Sequence, residues 1–96
     1  MPAYFIADLE VTDAAEFERY RPLAAASIAR HGGRYVVRGG QIDLVEGGPE
    51  PKRIVILEFA DADAVRRWYN SADYQAALKI RLASAKGRAF IVDGVG

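Results

Sequence analysis

The stretch Lys52–Ala60 constrains this chain more than any other. Ile54, Val55, Ile56, Leu57 and Phe59 are β-branched, aliphatic or aromatic, and together they predict a strand. Successive side chains point to opposite faces, so Val55, Leu57 and Phe59 fall on one side and Ile54 and Ile56 on the other. A strand that is apolar on both sides belongs in the middle of a sheet whose two faces are both covered. Ninety-six residues provide one core, so the chain is read as a single domain over 1–96.

The flanking segments supply one cover. Ala3–Val11 is rich in β-formers, and Thr12 to Glu16 offers a helix cap with an acidic residue at capping-box distance. From Asp13 to about Arg30, Phe17, Tyr20, Ala24 and Ile28 recur at helical spacing. Pro22 interrupts them, which predicts a kink near Tyr20–Pro22 or two abutting helical pieces. His31-Gly32-Gly33 supplies the stop, His31 sitting where an imidazolium favours the helix dipole. Arg34–Arg38 reads as a strand with Arg34, Val36 and Arg38 on one side and Tyr35 and Val37 on the other. Gly39-Gly40 ends or bulges it, Gln41–Glu46 is expected as a short continuing strand, and Gly47 to Pro51 as a loop. Asp61 caps a second helix to about Tyr69. Ser71 caps its continuation, in which Tyr74, Leu78, Arg81, Leu82 and Ala85 share a face and which Gly87 ends. Arg88–Val92 is the last strand. This order predicts an α+β, ferredoxin-like βαββαβ fold, an antiparallel sheet with both helices on one face.

That fold leaves the other face of the sheet bare. If Phe5 and Leu9 face the helices, Tyr4 and Ile6 join Ile54 and Ile56 on the far side. Fully hiding each such side chain contributes about 1.5–3 kcal/mol, so the group favours a covered face over a wet one. With no residues left to cover it, the expected cover is a second copy, in a homodimer whose sheets meet face to face.

Composition narrows the function. Thirteen basic and 13 acidic residues cancel, so no long-range field draws the chain to nucleic acid or an anionic membrane. Lys86-Gly87-Arg88-Ala89-Phe90-Ile91-Val92 partly mimics an RNA-recognition signature. However, Arg88 stands where the first stacking aromatic is needed, and the segment follows the second helix instead of preceding it. No apolar run approaches the roughly 18 residues of a membrane span, and Met1-Pro2-Ala3-Tyr4 lacks the marks of a leader. A cytoplasmic protein is expected. Cysteine is absent and His31 is the sole histidine, so no multi-histidine metal centre is expected and no cofactor is called for.

Two groups of residues could carry chemistry. Glu58 is a carboxylate in an otherwise apolar strand, where burial would suit it to general acid or base duty; equally, it could pair with a neighbouring arginine. Ten of the 13 basic residues are arginine, whose planar fork binds carboxylates at two points, which favours such pairing; Arg34 is a further candidate for ligand binding. Trp68, Tyr69 and Tyr74 straddle the break in the second helical region, as a wall for a planar organic ligand or as plain core. Arg81 lies about two helical turns beyond Tyr74 and could neutralise a carboxylate or enolate.

Several motifs occur together: Gly32-Gly33-Arg34-Tyr35-Val36-Val37-Arg38-Gly39-Gly40, Val45-Glu46-Gly47, Val55-Ile56-Leu57-Glu58-Phe59, Trp68-Tyr69-Asn70-Ser71 with Tyr74-Gln75, Arg81, and Gly87-Arg88 to Asp93-Gly94. In this order the chain resembles, over nearly its whole length, the small bacterial domain-of-unknown-function family numbered thirteen-thirty, of the dimeric α/β-barrel superfamily. The resemblance implies a ferredoxin-like protomer and a two-sheet barrel dimer, and no known reaction. The wider superfamily includes cofactor-independent monooxygenases and muconolactone-isomerase-like enzymes as well as proteins without established catalysis. Two functions are therefore expected. One is a homodimer binding a small organic molecule, with monooxygenase- or isomerase-like catalysis by Glu58 and Arg81 and walls from Trp68, Tyr69 and Tyr74. The other is a non-catalytic dimeric binding or interaction protein in which the same residues only pack and pair.

Overall fold

A computed structural model describes residues 1–96. Along the chain run β1 (Ala3–Val11), α1 (Ala14–Arg30), β2 (Arg34–Arg38), β3 (Arg53–Phe59), α2 (Ala62–Tyr69), α3 (Ala72–Ser84) and β4 (Ala85–Asp93). This is the expected ferredoxin-like order, with the second helical region divided into α2 and α3 at Asn70-Ser71. The strands form one antiparallel sheet in the order β2-β3-β1-β4, so the doubly apolar strand β3 is central.

Local chemistry sets the helix ends. The carboxylates of Asp13 and Asp61 accept from the backbone N–H of Glu16 and Ala64 at 3.2 and 2.7 Å, and the Ser71 hydroxyl accepts from Tyr74 N–H at 3.3 Å. At the end of α1, Gly33 N–H donates to the Ile28 carbonyl at 2.9 Å while Gly32 takes φ +80°. Alternation then places Ala3, Phe5, Ala7 and Leu9 of β1, with Leu57 and Phe59 of β3, against the helices. They meet Phe17, Ala24 and Ile28 of α1, Val65 and Trp68 of α2, and Tyr74, Ala77 and Leu78 of α3. The molecule is 17 Å across its thinnest dimension, the depth of one sheet and one layer of helices.

Four local expectations are corrected. First, of the two outcomes expected at Pro22, the one with two abutting pieces is overturned: α1 is one helix through Pro22. Pro22 lies on the solvent side, where the carbonyl it deprives of a partner meets water, and Phe17 and Ile28 anchor the helix on either side of it. Second, Gln41–Glu46 forms no strand and belongs to a loop over 39–52. Gly39, at φ +66°, turns the chain away from the sheet edge, and Leu44 and Val45 bury too little to hold it there. Third, α3 ends at Ser84 and not at Gly87. Pairing with β1 draws Ala85 to Gly87 into β4, and Gly87 sits opposite Leu9, where an added Cβ would lie 2.0 Å from the Asp8 carbonyl oxygen. The buried face of α3 carries Tyr74, Ala77, Leu78, Arg81 and Ser84, while Leu82 is exposed. Fourth, a bulge between Tyr35 and Val37 breaks the simple alternation of β2. Val37 pairs with Ile56 and Arg38 with Val55, so Arg38 leaves the side of Arg34 and joins Tyr35 facing the helices.

Candidate functional site

The bulge and the register of β3 aim basic side chains inward. Arg53 pairs with Leu9 and therefore faces the helices, as Arg38 does one strand over. Together with Tyr35 and Val55 they form the floor of a cleft roofed by Phe17, Tyr20 and Arg21 of α1 and closed at depth by Trp68 and Arg81. The hollow at its base measures about 30 Å³. Its lining is apolar and aromatic, with four arginines and two tyrosines but no carboxylate.

Of the four arginines, only Arg21 has an acidic partner, Glu18, at 3.0 Å. The Arg38 guanidinium lies over the Tyr35 ring, 4.7 Å from its centroid, and that of Arg53 over Phe17 at 5.5 Å. Arg53 also packs over Gly39, where a Cβ would sit 2.2 Å from Nη1, so that glycine gives the guanidinium its room. The Nε–H of Arg53 is buried and meets no acceptor. Arg81 is only 7% exposed and has no acidic partner; it donates from Nη1 to the Tyr74 hydroxyl in a long hydrogen bond of 3.4 Å, and the Tyr20 hydroxyl also lies within its reach. The Tyr74 hydroxyl lies 2.8 Å from that of Tyr20, which reaches the cleft. Burial pushes the pKa values of both hydroxyls above the ordinary phenol value, and burial does the same for Tyr35 against the opposing pull of Arg38. All three stay protonated at neutral pH.

Of the residues singled out from sequence, Trp68, Tyr74 and Arg81 come together. Trp68 is fully buried, donates from Nε1 to the Ser27 hydroxyl at 3.1 Å and packs at a tilt against Tyr74 with ring centroids 4.1 Å apart, so it is core and cleft wall at once. Tyr74 stands one layer behind the wall. Tyr69 turns the other way, into a separate groove of about 290 Å³ bordered by Phe90 and Ile91 of β4. Glu58 and Arg34 do not join this cleft. Both lie on the far face of the sheet, where they are cross-strand neighbours and form an ion pair, the pairing that the arginine-rich composition favoured. The sequence reading missed Tyr20, Tyr35, Arg38 and Arg53. Tyr20 was visible on the α1 stripe, but Arg38 was assigned to the wrong face because the bulge had no clear sequence mark. His31 caps α1 as expected and also meets Asp73 at 3.2 Å.

The far face is apolar at its centre. Ile6 lies between Ile56 and Phe90, and Tyr4 lies between Glu58 and Val92; Phe90 is 44% and Val92 45% exposed. Charged residues border it at Asp8 and Arg88 and at Glu58 and Arg34. No cluster of three or more His, Cys, Asp or Glu forms that could hold a metal, and no helix is long and apolar enough to cross a membrane.

Comparison with solved structures gives the same fold. A protein of unknown function from Rhodopseudomonas palustris, RPA0582, superimposes with a TM-score of 0.81 at 19% identity, covering 99% of this chain and 83% of that one. SnoaB, a cofactor-independent oxygenase from Streptomyces nogalater, gives 0.70 at 22% identity, covering 99% and 94%. A dimeric protein of unknown function and ferredoxin-like fold from Bacteroides fragilis gives 0.66 at 12% identity, covering 97% and 96%. A search of curated proteins finds no match. The sequence itself matches a family model over residues 2–95, and on that match the chain belongs to the domain of unknown function family DUF1330.

Proposed function

We propose that this protein is a cytoplasmic homodimer that binds a small organic molecule in the cleft between α1 and the sheet. Arg81 is the observation that carries this reading. A buried guanidinium that meets only neutral hydroxyls and no carboxylate costs stability, and an apolar side chain of similar volume would cost less. Its position, at the end of an aromatic-walled hollow beside two further arginines without acidic partners, suits a ligand and not a packing role. In this reading Trp68 and Tyr35 are the walls, and Arg81 stabilises negative charge on the ligand through the hydroxyls of Tyr74 and Tyr20.

The enzymatic form of the proposal is a cofactor-independent oxygenase- or isomerase-like reaction, the first supported by the shared fold of SnoaB. Glu58 would not take part from its present place, because the sheet lies between it and the cleft. Its pairing with Arg34 favours a second reading, in which the protein binds its ligand without transforming it.

The homodimer is supported by the apolar far face with its charged border, the pattern of a specific interface, and by the dimeric Bacteroides fragilis protein of the same fold. Ligand binding is tested by a thermal-shift screen of small organic molecules, each hit repeated on Arg81→Met. Ligands that bind the native state raise the melting temperature by mass action. The variant should melt at or above the temperature of the parent and lose the ligand-dependent shift. Hits that shift the folded variant as far as the parent would remove Arg81, and with it this reading.

A further inference from the structure

The hydrogen-bonding capacity left open in the cleft defines a chemical class of ligand, on the premise that the cleft binds a ligand at all. Arg53 contributes a buried Nε–H with no acceptor, and Arg38 and Arg81 contribute guanidinium groups with no carboxylate in reach. Buried donors almost always have a partner, and no lining residue is acidic. A hollow of about 30 Å³ has room for about two water-sized groups, the size of the two oxygens of a carboxylate. A ring or chain does not fit within it and must lie toward the mouth, where half-buried Tyr35 has freedom to make room and exposed Arg38 can swing in to meet the carboxylate.

The hydroxyl pair adds a second requirement. Arginine only donates, so the Tyr74 oxygen accepts from Arg81. The contact between the two hydroxyls uses one of their two protons. If Tyr20 supplied it, the proton of fully buried Tyr74 would have no acceptor; if Tyr74 supplies it, the buried Tyr74 hydroxyl is satisfied as donor and as acceptor. The chain therefore runs from Arg81 to Tyr74 to Tyr20 and leaves the Tyr20 O–H proton free for an acceptor. The guanidinium at the start of the chain polarises each hydroxyl in turn.

We propose that the cleft binds an organic carboxylate carrying a second oxygen, a keto or enol oxygen, with the carboxylate on Arg53 and Arg38 and the second oxygen accepting from Tyr20. Three probes of similar size separate these features in calorimetric titrations. Phenylpyruvate has the ring, the carboxylate and the keto oxygen. 3-Phenylpropanoate lacks the keto oxygen, and 3-phenylpropanamide lacks the charge as well. Phenylpyruvate should bind several-fold more tightly than phenylpropanoate, and phenylpropanoate about tenfold more tightly than the amide. Arg53→Gln should erase the second difference, and Tyr20→Phe the first alone. Should Arg53→Gln not fold, Arg38→Gln, at an exposed position, makes the same test. An amide that binds as well as the acid overturns the anionic class and leaves the cleft as a ligand site. Failure of all three probes, while other screening hits still require Arg81, overturns this inference alone; failure of both overturns the two together.

Discussion

Gly33 gives the core one of its tightest tolerances. An added Cβ would stand 2.4 Å from Cζ of Phe59, well inside contact distance. The Phe59 ring is fully buried and packs 5.4 Å from Trp68, which is itself tied to Ser27, so the ring cannot yield without moving the cleft wall. Gly33 has no left-handed backbone, and the constraint is purely one of space. Gly33→Ala should therefore cost about 1–3 kcal/mol, the usual penalty of overpacking. Gly40 has nothing within 4 Å of its would-be Cβ, and Gly40→Ala should change stability by less than about 0.5 kcal/mol. Urea denaturation checks the pair. The midpoint should fall for the first and hold for the second, with the slope unchanged in both. Equal midpoints would show that the Phe59 ring has more freedom than its packing implies.

The elements were legible where one local pattern had no rival. The capping residues Asp13, Asp61 and Ser71 and the apolar run of β3 each act through neighbours in sequence, and the structure has them as expected. The misplacements come from tertiary contacts that override local preference: β1 recruits Ala85 to Gly87 into β4, and the β2 bulge turns Arg38 inward. That same bulge hid half of the cleft, because Tyr35, Arg38 and Arg53 meet only once the register is known. Trp68, Tyr74 and Arg81 were legible because α2 and α3 follow helical spacing. One contact between elements has a pH signature. The Ser71 side chain, and then His31 and Arg30 from the end of α1, hold the Asp73 carboxyl below its ordinary value of 3.8. With the folded-state pKa depressed, the unfolded chain takes up this proton first as acid is added. The tie between α1 and α3 is thus fully present above the unfolded pKa and is lost as pH falls through the folded one. Asp73→Asn should lower the urea midpoint at neutral pH, and the gap to the parent should shrink from about pH 5 downward. A gap that stayed constant into strong acid would show that the carboxylate charge contributes nothing to this joint.

At the scale of the whole molecule, the two faces of the sheet have different requirements. The helix side is closed by its own chain, and the cleft is the only break in that closure to carry unpaired charge at depth. The far side has Ile6, Ile54, Ile56, Phe90 and Val92 together, each still open in part to solvent, inside a border of charged residues. Ile56 lies at its centre, opposite Ile6 on one side and Val37 on the other. A carboxylate there would be tolerated in a lone protomer, since the position is only half-buried and faces away from the core. Between two sheets it would be desolvated without a partner, a cost of several kcal/mol that appears twice in a symmetric pair. Ile56→Asp should therefore shift the protein from dimer to monomer in sedimentation velocity while leaving its far-UV circular dichroism in place. Phe90→Asp, nearer the β4 edge, should weaken the dimer in the same direction. If the parent sediments as a monomer at every concentration, or Ile56→Asp sediments as a dimer like the parent, the far face is not where two copies meet, and its apolar residues need another explanation.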